Sequence, residues 1–204
     1  MSSGPQFWDD RYSHPNYVFG YKPNDFLAAN ARFLRPGSRV LCLGDGEGRN
    51  GVHLAKLGHE VVSLDQSGVG LAKAERLAAD SGVRIETWRV DLADWVDHPA
   101  PERSWDAIVS IFCHLPSELR RRVCQTSTAQ TRPGGMLLLE AYTPAQVALG
   151  TGGPKDPDQL LTRQDVHEDW QGWRLDVRLV ERRIFEGMGH QGLSSVVQVL
   201  GKRT

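Results

Sequence analysis

The chain has 204 residues, 40% hydrophobic and 24% charged, with a formal net charge of −1 at neutral pH. That size and balance describe one domain with a substantial core, and they exclude a general electrostatic pull toward nucleic acid or an anionic membrane surface. No apolar run approaches the roughly 18 residues needed to span a bilayer. Residues 1–5 show no leader pattern, and Cys42, Cys113 and Cys124 form no close-spaced pair, so a reduced, cytoplasmic protein is expected, without a disulfide framework.

In chain order, the pattern predicts a helix over Asn24–Leu34, stopped by Pro36-Gly37, then a strand at Arg39–Leu43. A helix over Asn50–Leu57 closes at Gly58, and a second strand at Glu60–Leu64 ends in Asp65. Ser67 caps a helix reaching Ala79. Strands follow at Arg84–Val90 and Asp106–Phe112, then a helix capped by Ser117 and running to Gln130, then a fifth strand at Met136–Ala141. The basic run Arg120-Arg121-Arg122 reads as a solvated helix face.

Residues 143–161 carry Pro144, Gly150, Gly152, Gly153, Pro154 and Pro157, a loop long enough to be either disordered or functional. Thr162 and Asp165 look like a capping pair for a short helix ending near Trp170. Two strand-like runs, Trp173–Phe185 and Leu193–Leu200, are joined by too few residues for a parallel crossover and should pair antiparallel. The layout implies an α/β, Rossmann-like three-layer sandwich: a mostly parallel seven-stranded sheet with an antiparallel C-terminal hairpin. Residues 1–204 are expected to form a single domain, divided into an arm or lid (1–23), cofactor-binding βα units (24–142), a substrate-side loop and short helix (143–172) and the hairpin (173–204).

The most informative stretch is Val40-Leu41-Cys42-Leu43-Gly44-Asp45-Gly46-Glu47-Gly48-Arg49-Asn50-Gly51. A buried strand followed by alternating glycines and a helix is a common seat for a nucleotide-like cofactor, because glycine takes positive φ and lets a ligand approach the backbone. Asp45 and Glu47 lie between the glycines. A carboxylate and a phosphate charge 4 Å apart repel by roughly 4 kcal/mol at an effective dielectric near 20. A cationic ligand is attracted instead, which favours S-adenosylmethionine, with its sulfonium and ammonium, over a dinucleotide. Asp65 stands where a carboxylate should accept ribose hydroxyls in either site.

Three further groups of residues carry a family resemblance: Phe7-Trp8-Asp9-Asp10-Arg11-Tyr12, Phe19-Gly20-Tyr21-Lys22-Pro23-Asn24, and Glu140-Ala141-Tyr142-Thr143-Pro144 with Gly150-Thr151-Gly152-Gly153-Pro154. With the glycine loop they make the chain resemble a class I S-adenosylmethionine-dependent methyltransferase, most similar to the tellurite-resistance and thiopurine methyltransferase-like branch. The resemblance implies that Gly44, Gly46 and Gly48, with Asp45, Glu47 and Asn50, hold the methionine part of the cofactor. It implies that Asp65 takes the ribose, Gln66 and Ser67 flank the adenine, and Asp91 with Leu92 binds the adenine amino group. Cys42 stands where the family commonly has an acid, so Asp45, Glu47 or backbone carbonyls must take over that role.

Ile111 and Phe112, at the carboxyl end of a strand, are expected to wall the cofactor, and His114 to sit near the transferred methyl as a general base. Trp8, Arg11, Tyr12, Tyr21 and Tyr142 are the candidate substrate contacts. No HxH or HExxH spacing suggests a metal site. The expected reaction is in-line methyl transfer to a small molecule, a thiol or a metalloid or chalcogen oxyanion among the candidates, releasing S-adenosylhomocysteine. A soft acceptor of that kind needs no base; a hydroxyl or ammonium acceptor does. Two alternatives remain: an NAD(P)-dependent oxidoreductase, because Gly46-x-Gly48-x-x-Gly51 matches a dinucleotide fingerprint, and a catalytically silent cofactor-binding regulatory module. No nucleic-acid or membrane partner is expected, and the protein is expected to be a monomer or homodimer.

Overall fold

The computed structural model describes residues 4–98 and 104–204; Met1–Ser3, part of the segment that shows no leader pattern, lie outside them. Seven strands form one sheet in the order β3-β2-β1-β4-β5-β7-β6. They are β1 (Arg39–Leu43), β2 (Glu60–Asp65), β3 (Glu86–Arg89), β4 (Trp105–Ile111), β5 (Thr131–Tyr142), β6 (Trp173–Glu186) and β7 (His190–Arg203). The first five run parallel, while β7 inserts antiparallel between β5 and β6.

The central strands read as continuous apolar runs because helices cover both faces. Leu41 and Leu43 of β1 point into a core with Leu64, Trp95, Ile108, Val123, Leu137 and Trp170. Val40 and Cys42 point the other way, toward Leu27, Leu54, Val109 and Leu138. The first face is covered by α5 (Leu92–Asp97), α6 (Ser117–Gln130) and α8 (Arg163–Asp169), the second by α2 (Asp25–Asn30) and α3 (Arg49–Lys56). Cys42 is therefore a small core residue.

The remaining helices are α1 (Pro5–Tyr12), α4 (Gly68–Asp80) and α7 (Gln146–Leu149), the last lying with a short 3-10 turn, Pro157–Gln159, inside the expected long loop. Several boundaries differ from the sequence reading for identifiable reasons. Ser117 is the first residue of α6 and its N–H is taken by the Asp158 carboxylate at 3.0 Å, so it is not the cap. The basic run is not a solvated face throughout: Arg120 is buried, donating to Asp169 at 2.6 Å and tying α6 to α8. The terminal strands extend beyond Phe185 and before Leu193, because a three-residue turn at 187–189 lets Glu186 pair directly with His190.

Candidate cofactor and acceptor site

The carboxyl ends of the parallel strands open onto a cavity of about 360 Å³. Gly44 at the end of β1, Asp65 at the end of β2 and Ile111 at the end of β4 contribute to its lining, as do Asp91 and Leu92 after β3. The chain leaves β4 through Phe112 at φ +53°, a left-handed conformation uncommon for a bulky residue. Its N–H is satisfied by the Glu140 carbonyl at 2.8 Å, and its ring lies 4.7 Å from Tyr142 and 4.6 Å from His190.

The roof has two parts. Helix α1 lies on α4, where Asp9 accepts from the Ser67 hydroxyl at 2.5 Å and the Val69 N–H at 3.2 Å; the Ser67 bond leads in holding Asp9 below the usual carboxylate pKa. The chain after α1 is held by Lys73, whose ammonium meets the carbonyls of Tyr12, His14 and Asn16 and the Glu47 carboxylate at 2.5 Å. The hairpin turn closes the other side, with the N–H groups of Met188 and Gly189 donating to the Val18 carbonyl at 2.7 and 3.1 Å.

These contacts change what the acidic glycine loop does. Glu47 borders the cavity, but one oxygen is taken by Lys73 and the other by the Val18 N–H at 2.7 Å. It anchors the arm and presents no free carboxylate. Asp45 is turned onto the Ser63 hydroxyl at 2.6 Å and the Gly51 N–H at 3.2 Å, and burial raises its pKa to about 7. The charge expected to attract a cation is therefore largely neutralised within the fold. Gly46 and Gly48 serve packing: a Cβ on Gly46 would lie 2.4 Å from the Tyr12 hydroxyl, and one on Gly48 would lie 2.4 Å from the Ala74 Cβ. Asn50 lines the cavity while its side-chain oxygen accepts from the Asn24 N–H at 2.9 Å.

Asp65 accepts from the Gly46 and Ser67 N–H groups, both at 2.8 Å, which joins the glycine loop to the start of α4. Burial raises its pKa despite those donors. Asp91 caps α5 through the Ala93 N–H at 2.8 Å. Gln66, Leu92, Val90, Leu115 and Leu119 border the same end of the cavity.

Trp8, Arg11 and Tyr12 also border the cavity, with the Arg11 guanidinium stacked over Trp8 and Phe19 at 5.7 and 5.3 Å. Three expected contacts are corrected. Tyr21 is 65% exposed on the outer surface of the arm. Tyr142 is buried behind the wall, stacked on His114 at 5.4 Å. Ser67 is buried as the cap of α4 and does not reach the cavity. His114 does border it, but Nε2 accepts the Tyr142 N–H at 3.1 Å and the Phe112 carbonyl takes the other nitrogen. Burial, followed by the neighbouring His190, pushes its pKa down to about 3.

Sequence reasoning passed over Phe7, Cys113, Arg49, Gln159 and, above all, His190. The available signal for His190 was the pattern Glu186-Gly187-Met188-Gly189-His190, a glycine-flanked turn that places an acid opposite an imidazole.

Comparison with known proteins agrees with this architecture. The sequence matches the methyltransferase-domain family over residues 40–135. It is 30% identical to a ubiquinone biosynthesis O-methyltransferase of Xanthomonas campestris pv. campestris over 168 residues, covering 79% of this chain and 67% of that protein. The fold is similar to TehB from Haemophilus influenzae (TM-score 0.68, 19% identity, 98% of this chain and 67% of that one). It is also similar to magnesium protoporphyrin IX methyltransferase from Synechocystis PCC 6803 with bound S-adenosylmethionine (TM-score 0.61, 16% identity, 98% and 79%). The chain belongs to the class I S-adenosylmethionine-dependent methyltransferases, which decides the cofactor in favour of the methyl donor over a dinucleotide. Among the described residues no helix is long and apolar enough to cross a membrane.

Proposed function

We propose that this methyltransferase acts on a small molecule enclosed beneath the arm and the hairpin turn. The observation that carries the reading is the double closure of the cavity, by Lys73 and Glu47 on one side and by the Val18 carbonyl on the other. A roof held at both ends leaves room for a compact acceptor and not for a folded macromolecule.

The chain's own groups fit the cofactor in a definite order. Gly44, with no Cβ to fill the loop, passes beneath the methionine part. Asp65 faces the ribose hydroxyls, and the Leu92, Val90 and Leu115 slot takes the adenine, with Asp91 at its edge. Ile111 and Phe112 wall the reacting end. Arg11 serves a carboxylate, either the cofactor's or the acceptor's. When bound, S-adenosylmethionine supplies an electrophilic methyl group on a sulfonium. The protein's contribution is to hold the acceptor in line and exclude water, and orientation of this kind supplies up to about 7–11 kcal/mol.

Isothermal titration of S-adenosylhomocysteine into wild-type protein and Asp65→Ala tests the assignment. A charge-assisted hydrogen bond is worth about 1.5–3 kcal/mol, so the variant should bind roughly 10- to 150-fold more weakly. Equal affinity would remove Asp65 from the site. Transfer of labelled methyl to tRNA or protein, with none to small molecules, would overturn the small-molecule reading.

A further inference from the structure

Two histidines border the cavity, and their hydrogen bonding separates them. His114 has both ring nitrogens engaged by backbone groups and no lone pair to offer. His190 differs. Its Nδ1 faces Glu186 Oε2 at 3.5 Å, and no hydrogen-bond partner for Nε2 is found among the described residues. The ring is held by Phe19 and Phe112, each 4.6 Å away centroid to centroid, and by Tyr142 at 5.5 Å. Glu186 is itself fixed, accepting from Arg49 at 2.6 Å and Asn24 at 2.9 Å. Arg49 begins α3 immediately after the glycine loop, so the carboxylate that orients the imidazole is tied to the cofactor end of the cavity.

We propose that His190, oriented by Glu186, is the general base of the transfer and that the acceptor is a flat aromatic hydroxyl compound lying against Phe19 and Phe112. The inference rests on the methyl-transfer reading above and narrows it. A thiolate or chalcogen oxyanion reacts without a base, whereas a hydroxyl must lose its proton. In the reaction the acceptor O–H bond breaks and its proton passes to Nε2. The electron pair left on oxygen forms the bond to the methyl carbon as the methyl–sulfur bond breaks with its pair on sulfur. One positive charge thus moves from the sulfonium to the imidazolium, where Glu186 offsets it, and the proton leaves to solvent when the roof opens.

The charged and titratable groups facing His190 are Arg11 from α1, Arg49 from α3, Glu186 from β6, His114 after β4 and Tyr142 at the end of β5. Burial lowers the His190 pKa, Glu186 raises it, and Arg49 and Arg11 lower it again. The net direction keeps the ring neutral near pH 7 and able to accept a proton.

The test uses para-nitrophenol, whose absorbance reports ionisation, added to protein saturated with S-adenosylhomocysteine. Wild-type protein should bind the probe and ionise it about one pH unit below its solution midpoint. His190→Gln should bind it in the neutral form. Probe binding without ionisation, no probe binding, or equal ionisation by His190→Gln would each overturn the proposal. Calorimetry with S-adenosylhomocysteine, run alone, separates this from failure of the methyltransferase reading, because only that reading requires the nucleoside to bind. Glu186→Gln tests the positioning role: the His190 midpoint, followed by nitrogen-15 chemical shifts, should fall, and an unmoved midpoint removes Glu186. With an aromatic hydroxyl acceptor, His190→Gln should lower kcat about 10²- to 10⁴-fold with little change in KM and lose the acid limb of the pH profile.

Discussion

Glu186 and His190 face each other across the three-residue turn that ends the C-terminal hairpin, with the imidazole Nδ1 3.5 Å from the carboxylate. The same turn donates two backbone N–H groups to the arm at Val18. One local structure therefore places a base in the cavity and fastens part of the roof over it. Burial opposes ionisation of Glu186, but His190 and Arg49 outweigh it and bring its pKa down to about 2.

The first prediction concerns the roof. Gly187 has φ +58°, and a Cβ there would lie 2.3 Å from the Val18 carbonyl oxygen and 2.4 Å from the Gly20 nitrogen. Gly187→Ala should push the turn off the arm while the sheet remains. Limited proteolysis should then cut faster near Tyr17–Gly20, and S-adenosylhomocysteine should bind about tenfold more weakly, a change of about 1.4 kcal/mol. Unchanged cleavage and affinity would mean that the turn does not hold the arm.

A second prediction follows from the buried pair of Lys73 and Glu47, 9% and 4% exposed. Lys73→Met leaves a buried carboxylate without its partner and frees three arm carbonyls, which should cost about 3–5 kcal/mol in urea unfolding. Adding Glu47→Gln should recover part of that loss. A single-variant loss below about 1 kcal/mol would show the pair to be solvated and dispensable.

The third prediction is a pH dependence at Asp45. Its folded pKa of about 7 lies above the ordinary 3.8, so the folded state holds the proton more tightly than the unfolded chain. The resulting destabilisation is absent below about pH 4, grows as pH rises, and is complete above about pH 7. Asp45→Asn removes it while keeping an oxygen for the Gly51 N–H. Its stability relative to wild type should therefore improve between about pH 4 and pH 8, by on the order of 2–4 kcal/mol. A pH-independent difference would place the Asp45 carboxylate in a solvated setting.

A fourth prediction separates the two histidines. His114→Leu removes the acceptor of the Tyr142 N–H and should lower thermal stability by about 1–3 kcal/mol. The acid limb of the pH–rate profile should persist in that variant. Disappearance of the limb would return the base to His114.

Most of the sheet was legible because its signals are local. The apolar run of β1 predicts Arg39–Leu43 with the observed boundaries, and Thr162 with Asp165 makes the expected capping box. The cavity's Asp65, Asp91, Ile111 and Phe112 were likewise legible, since residues at the carboxyl ends of parallel strands must face the crevice. The loop of residues 143–161 was recognised but not its path: Gly152 and Gly153 border the cavity, and the Tyr142 ring leaves no room for a Cβ on Gly153, which would lie 2.5 Å away.

From sequence alone came the succession of seven strands and the residues at the carboxyl ends of the parallel ones, while the class of cofactor came from the family resemblance that the motifs carry. Hydrophobic period and turn chemistry are carried by neighbours a few positions apart, which is enough to specify strands and the residues that end them. Tertiary packing alone decided which polar atoms stay free. The Glu47 carboxylate is taken up by a lysine 26 positions away, and the lone pair of His114 goes to Tyr142, 28 positions away. Whether a carboxylate or an imidazole can act on a ligand depends on such distant partners, and no local pattern records them.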